Sequence, residues 1–529
     1  MANQKTLFIN AKIWQPDGGF DEAFGIDGNK IDFTGTNKQA LLLKPDYDSI
    51  IDLGGRLVLP GLIDGHMHLC YGSLMLKRLD ARNVNSIESL KSVISKYVKD
   101  NPKSNWIIGS NINLNIVLKD FKPGKGNFVD KIYSEKPLYI ANYDYHSGLC
   151  NTLVLVKTGL TARINEFSDS EVVKDREGNP VGIVKENALD YVFDNLPKPS
   201  LSQRCNAVRD FIKILHSYGI TNITDITLIE DFEVYNKLYG DDKLKVRINS
   251  YIPLEEFENI EKHEKSISKI NPDLLTINGF KAYYDGSLGS ETALFSKNYK
   301  GKNHNGYKTD TVTKGILSKY ARQIDKAEGQ LIIHAIGDLA VTEVLDLYKS
   351  LIRENGERNS RHRIEHAQHI LNADLKRFIE LGVIASVQPL HLKYDIGIVK
   401  DKLPDELVNT THNYKKLIET GAIINFGTDF PIVEVNPYEN IKMAITRNAS
   451  GEVFTPENSI DLHNCIKAYT INNAYSNFNE NAIGSIKPGK CADFVIMEDN
   501  LFDMKPEDIG NSEVWRTYFD GDLVYSALN

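Results

Sequence analysis

Apolar residues in the middle of the chain come in short runs separated by longer amphipathic stretches. The runs fall at 61–68, 220–226, 245–252, 276–284, 330–336, 362–368, 383–389 and 422–428. Their length and the turn residues around them predict buried strands. Most of the intervals carry helical spacing; Val341, Val344, Leu345, Tyr348 and Leu351, for example, fall on one helix face. Strands alternating with helices imply a parallel sheet, and eight of them are the count a closed (β/α)8 barrel needs. A ninth run, 138–143, belongs to an insertion on this reading, because 72–219 is far too long for one crossover.

The two ends of the chain read differently. Residues 5–13 predict a short strand, and 22–34 a hairpin about the Asp27-Gly28-Asn29 turn. Strand signal returns at Ile50–Leu53, Leu57–Leu59, Asp493–Met497, Val514–Phe519 and Asp522–Tyr525. The expected architecture is therefore α/β: a TIM-like barrel over 61–71 and 215–481, a composite β-sandwich from 1–60 and 482–529, and a subdomain over 72–214 inserted after the first barrel strand. No repeat and no low-complexity segment interrupts this pattern.

Bulk properties narrow the partners. The 529 residues carry 62 Lys+Arg against 71 Asp+Glu, a net charge of −9. A mildly acidic surface without a basic stripe gives no reason to expect nucleic acid or anionic membrane. A small-molecule substrate is the expected partner, and a homodimer the base-rate expectation for assembly. The five cysteines are scattered without a C-x-x-C pair, which argues against a disulfide framework or a structural zinc site. The first residues lack a signal-peptide core, and no apolar run spans a membrane, so a cytoplasmic location is expected.

The candidate chemistry sits at predicted strand ends. His66 and His68 form an H-x-H on one strand, where residues i and i+2 face the same way and can converge on one metal. Asp64, just before them, is a candidate to orient one of the rings. His334 follows Leu331-Ile332-Ile333 and precedes a glycine turn, the place where barrel enzymes hold catalytic groups. His366 lies deepest in its run, whereas His362 and His369 read as surface residues. Asp429, at the end of the last run, can bind metal and carry a proton. Lys281 lies within an apolar strand; burial would favour its neutral amine, which can take up CO₂ and become a bridging carbamate. Singly, each has a plain structural alternative: incidental strand-end histidines, a core histidine, an Asp opening a turn before Pro431, a lysine whose head reaches solvent. Their order over strands one, four, five, six and eight argues for a site.

That order, with the Pro60-Gly61-Leu62-Ile63-Asp64-Gly65-His66-Met67-His68 opening, Lys281 leading into Asp285-Gly286-Ser287-Leu288-Gly289-Ser290, Glu365-His366-Ala367-Gln368, Ser386-Val387-Gln388-Pro389 and Thr428-Asp429-Phe430-Pro431, resembles the amidohydrolase superfamily. The likeness is to amidohydrolase family 3, the branch of N-substituted formamide deformylases and D-aminoacylase-like enzymes, and it covers nearly the whole chain. It implies a divalent cofactor, one or two zinc ions per chain. His66, His68 and Asp429 would hold one ion, His334 and His366 a second, with carboxylated Lys281 between. It also implies hydrolysis of a C–N bond in an amide, N-formyl or cyclic amide, with metal-bound hydroxide as nucleophile, Asp429 as proton shuttle, and His146, Asp285 and Gln388 on the substrate. An ester hydrolase or a deaminase would use the same groups; a non-catalytic scaffold would dispense with them. The chain departs from the family at Glu291, where an arginine is usual, at Tyr145 beside His146, where a glycine is usual, and at Ser110–Asn113.

Overall fold

The computed structural model describes residues 5–119, 125–142 and 146–527. The chain forms two compact units, one of residues up to Gly72 and from Val208 onward, the other Ser73–Ala207.

The first unit contains the barrel. Its eight strands are Leu62–Met67, Ile220–Ile226, Arg247–Pro253, Leu275–Tyr283, Gln330–Ala335, Arg363–His366, Ile384–Val387 and Ile424–Phe426, bonded in that order and parallel throughout. Just beyond the eighth strand the chain returns to the first. Asp429 N–H donates to His66 O at 2.7 Å, His68 N–H donates to Phe430 O at 2.9 Å, and Met67 and Phe430 form a parallel bridge. Asp64 fastens the same seam. Its carboxylate accepts from the Thr428 backbone N–H (3.0 Å), the Thr428 hydroxyl (2.7 Å) and the His66 backbone N–H (3.1 Å). Asp64 thus orients the strand that carries His66, not an imidazole ring. The eight strands match the predicted runs and are shorter at several ends.

Barrel strands alternate between lumen and helix layer. Ile226, Tyr251 and Ile332 pack together as an apolar cluster. The helix after the fifth strand, Asp338–Asn355, buries Val341, Val344, Leu345, Tyr348 and Leu351, the face read from the sequence.

The chain ends build two sheets. Lys5–Ile9, Ala23–Asp27, Lys30–Gly35 and Ser49–Asp52 form one. In the other, Leu57–Pro60 pairs antiparallel with Phe494–Met497, so the two termini share a sheet. Between them pack Phe8, Phe24, Phe494 and Tyr518, with Phe8 stacked on Phe24 (4.6 Å between centroids) and Phe494 on Tyr518 (4.5 Å). The barrel is joined to this sandwich by buried Arg247, bidentate to Asp493 at 2.6 and 3.1 Å.

The second unit has a six-stranded mixed sheet in which Leu138–Asn142 lies between Ile107–Ile112 and Ser147–Cys150. The helix Ile87–Asp100 starts at a capping box made by Ser86 and Ser89. All five cysteines are buried, and none of them forms a disulfide. Among the described residues, no helix is long and apolar enough to cross a membrane.

Candidate metal centre

Tyr283, His334, Glu365 and Ser386 are successive register partners on the fourth to seventh strands and so face the same way. Regular alternation would send His366 to the opposite face from Glu365. Instead His366 and Ala367 take positive φ, 72° and 43°, a region costly for side-chain-bearing residues. As a result Glu365 and His366 both reach His66. The Glu365 Oε2 meets His66 Nδ1 in a short hydrogen bond, and the His366 ring lies 5.1 Å from that of His66. Asp429, with φ 59°, is turned in a similar way at the seam between the eighth and first strands.

The groups converge on Asp429. Its Oδ1 lies 3.5 Å from His66 Nε2 and 3.4 Å from His68 Nε2, and its Oδ2 lies 3.8 Å from His391 Nε2. One donor atom each from His66, His366 and Asp429 falls within 4.8 Å of the others. The His334 ring packs edge-on to that of His366 at 4.5 Å.

Three of the histidines have one ring nitrogen tied to an oxygen acceptor. His66 Nδ1 is tied to Glu365, His366 Nδ1 to Gln388 Oε1 at 2.9 Å, and His334 Nε2 to the Gly286 carbonyl at 3.1 Å. A ring nitrogen facing a carboxylate, amide or carbonyl oxygen must carry the hydrogen. In the neutral ring the other nitrogen then offers its lone pair. Burial keeps the rings neutral: it lowers the pKa of His334 to about 3 and also brings His66 and His366 down. Burial alone would raise Asp429, but the hydrogen bond with His68, the largest opposing cause, brings it well below the carboxylate range. His66, His334 and His366 thus offer neutral imidazole lone pairs beside the Asp429 carboxylate.

Lys281 is buried on the fourth strand. Its Nζ has no hydrogen-bond partner and lies 4.7 Å from the centroid of the Tyr283 ring. Burial lowers its pKa to about 8, against the pull of Glu365 and Asp429. An unpartnered buried amine beside this donor set is the observation that best tests whether a metal fits. The donor chemistry, imidazole and carboxylate, suits a divalent metal ion.

The remaining predicted residues are placed as follows. Gln388 is buried, its Oε1 engaged by His366. The Asp285 carboxylate accepts from the backbone N–H groups of Leu294 (2.8 Å), Ile336 (3.0 Å) and Gly337 (2.9 Å), and lies 3.5 Å from His334 Nε2. It thereby ties the loop after the fourth strand to the turn after the fifth. His146 belongs to the second unit, where its Nδ1 lies 3.2 Å from Glu186 Oε2; Tyr145 is outside the described residues. Glu291 is matched by Lys402 at 3.0 Å and Lys302 at 3.5 Å. Two readings are corrected. His362 and His369 are buried, not surface residues. His362 bonds Asp325 at 3.0 Å and stacks on Tyr348, and His369 meets Thr411 at 3.2 Å. Sequence reading also passed over Glu365 and His391. The signal for Glu365 was available: Arg363-x-Glu365 puts two opposite charges on one face of an otherwise apolar strand. Nothing local marks His391, which follows Pro389 on a short turn of helix.

A parallel eightfold barrel with histidines and a carboxylate at its strand ends defines a class, and a family model identifies it. The amidohydrolase family model matches residues 49–525, and the chain belongs to this family of hydrolases. Among curated proteins it is 30% identical to the protein LONG AFTER FAR-RED 3 of Arabidopsis thaliana, over 98% of this chain and 91% of that one. It is 23% identical to the N-substituted formamide deformylase of Arthrobacter pascens, over 98% of each. Among solved structures, an uncharacterized metal-dependent hydrolase from Pyrococcus furiosus superposes with a TM-score of 0.77 at 23% identity, covering 95% of this chain and all of that one.

Proposed function

We propose that this hydrolase cleaves a C–N bond in an amide, N-formyl or cyclic amide substrate, using one or two zinc-type ions and Asp429 as the proton carrier. The observation that carries the reading is the buried Asp429 carboxylate with imidazoles from the first strand and the His391 turn around it. The similarity to a protein named for deformylating N-substituted formamides supports the choice of bond.

His66, His68, His334, His366 and Asp429 would hold the metal, with Lys281 as a carbamate joining them if two ions bind. The bound metal would polarise the substrate carbonyl and make water acidic near pH ~7. The chain's own groups do the rest. Hydrogen bonds from His66 and His366 to Glu365 and Gln388 keep the free ring nitrogens pointed at one place. The Asp429 carboxylate takes a proton from the attacking water and returns it to the departing nitrogen, which leaves as an amine rather than as a strongly basic anion. Carbamate formation joins neutral Lys281 Nζ to the carbon of CO₂ and releases one proton. The neighbouring acids, Glu365 and Asp429, oppose the negative carbamate, so it would persist only with metal present.

The test is amine release from a panel of N-formyl, N-acyl and cyclic amides by zinc-supplemented wild type beside Asp429→Asn. The wild type should release amine and acid in equal amounts. Loss of general-base help should slow the variant by about 10²–10⁴-fold while it keeps much of its zinc. Alcohol or ammonia as the sole product, or equal turnover by the variant, would overturn the assignment.

A further inference from the structure

We propose that Arg363 and Glu365 are positioning residues: a buried clamp that fixes His66 from two sides so that its Nε2 faces Asp429 and His366. The inference rests on the metal-centre reading above. It concerns residues that make no contact with a substrate in that reading.

Arg363 and Glu365 are two residues apart on the sixth strand, so both project from the same face, and both are fully buried. Arg363 Nε donates to Glu365 Oε1 at 2.8 Å, and Nη2 to Glu365 Oε2 at 3.0 Å. The same Nη2 also donates to Ser386 Oγ at 2.9 Å and to the carbonyl of Gly65 at 2.7 Å. Gly65 immediately precedes His66. One guanidinium therefore holds both the peptide leading into His66 and the carboxylate that receives its Nδ1–H. The backbone there has little room to shift: a Cβ on Gly65 would meet Phe426 O at 2.7 Å and Asn473 Oδ1 at 2.4 Å.

Stability alone is a poor reason for this pair. Buried ion pairs seldom outperform well-packed apolar residues of the same volume, because desolvation offsets their attraction. Apolar packing is available in the same barrel, where Ile226 and Ile332 pack against the Tyr251 ring. A fixed guanidinium and carboxylate give a direction that apolar packing cannot. Rotation of the His66 ring would break the Glu365 bond and turn Nε2 away from Asp429.

The test is zinc affinity of the metal-stripped protein, measured by competition with a chromophoric chelator and requiring no turnover. The double variant Arg363→Met/Glu365→Leu should keep a thermal midpoint near wild type yet bind zinc about 10–100-fold more weakly, the usual loss when a ligand histidine loses its partner. Arg363→Met/Glu365→Gln retains an acceptor for Nδ1–H and should recover most of that loss. A purely structural pair would lower the midpoint and leave the affinity of folded protein unchanged. If the Leu variant binds zinc like wild type, the clamp is refuted. If it does not fold, nitrogen-resolved NMR of the metal-free wild type decides: the His66 signal, assigned by its loss in His66→Gln, should report hydrogen on Nδ1, and hydrogen on Nε2 would overturn the proposal. Zinc binding without amide hydrolysis would count against the proposed function while leaving the clamp in place.

Discussion

Replacing Lys281 with methionine swaps a buried, unpartnered amine for an apolar chain of similar length. The magnitude follows from the amine's acidity. Burial lowers it from 10.5 to about 8 in the folded protein. A gap of 10.5 − 8 = 2.5, at ~1.36 kcal/mol each, makes the protonated amine cost the metal-free fold about 3 kcal/mol. The sign is fixed by which state holds more protons. Between pH 8 and 10.5 the unfolded chain keeps the proton that the folded chain has released, so wild-type stability rises with pH across that window. Below pH 8 both states are protonated and the full cost remains. Lys281→Met should therefore be more stable than wild type by about 3 kcal/mol at pH 7, with the gap closing toward pH 10.5. Denaturation midpoints of both proteins, stripped of metal and CO₂, would be followed from pH 6.5 to 10.5. Because the chain has two compact units, the difference between the proteins is the quantity to read, not an absolute free energy. Adding zinc and bicarbonate should then stabilise the wild type more than the variant. Parallel pH profiles, or a variant less stable at pH 7, would show that the amine is solvated or paired in solution. An equal response to bicarbonate would remove the carbamate.

Two further substitutions test the frame around the site. Arg247→Met leaves the Asp493 carboxylate buried without its bidentate partner and should cost about 3–5 kcal/mol, whereas Arg247→Met/Asp493→Leu should recover most of it; thermal midpoints of the two variants decide. Asp285→Ala strips the acceptor from three backbone N–H groups and should lower stability by about 1–3 kcal/mol or more, with reduced zinc content because Gly286, whose carbonyl holds His334, is no longer fixed. Full zinc content in the folded Asp285→Ala protein would show that His334 is held by other means.

Hydrophobic periodicity carried the barrel once the length of 72–219 had set the ninth run aside, because strand and helix periods differ and eight alternations fit few architectures. It also carried His66, His68, His334, His366 and Asp429 as candidates, since polar residues closing apolar strands stand out against their surroundings. Tertiary structure decided what each residue does. Alternation places Glu365 and His366 on opposite faces; only the positive φ at His366 and Ala367 brings both to His66, and a non-glycine residue does not announce that conformation in its name. Asp64 is the partner that the sequence offers for a histidine ring, yet closure of the barrel commits Asp64 to Thr428 and leaves the His66 ring to Glu365. His362 and His369 read as surface residues because His366 lies deepest in the run, but the Tyr348 and Phe295 rings, from elsewhere in the chain, cover them. The residue types that can hold a metal are a local property of the chain. Which nitrogen each imidazole offers depends on acceptors delivered by other strands, and that is settled only when the barrel closes.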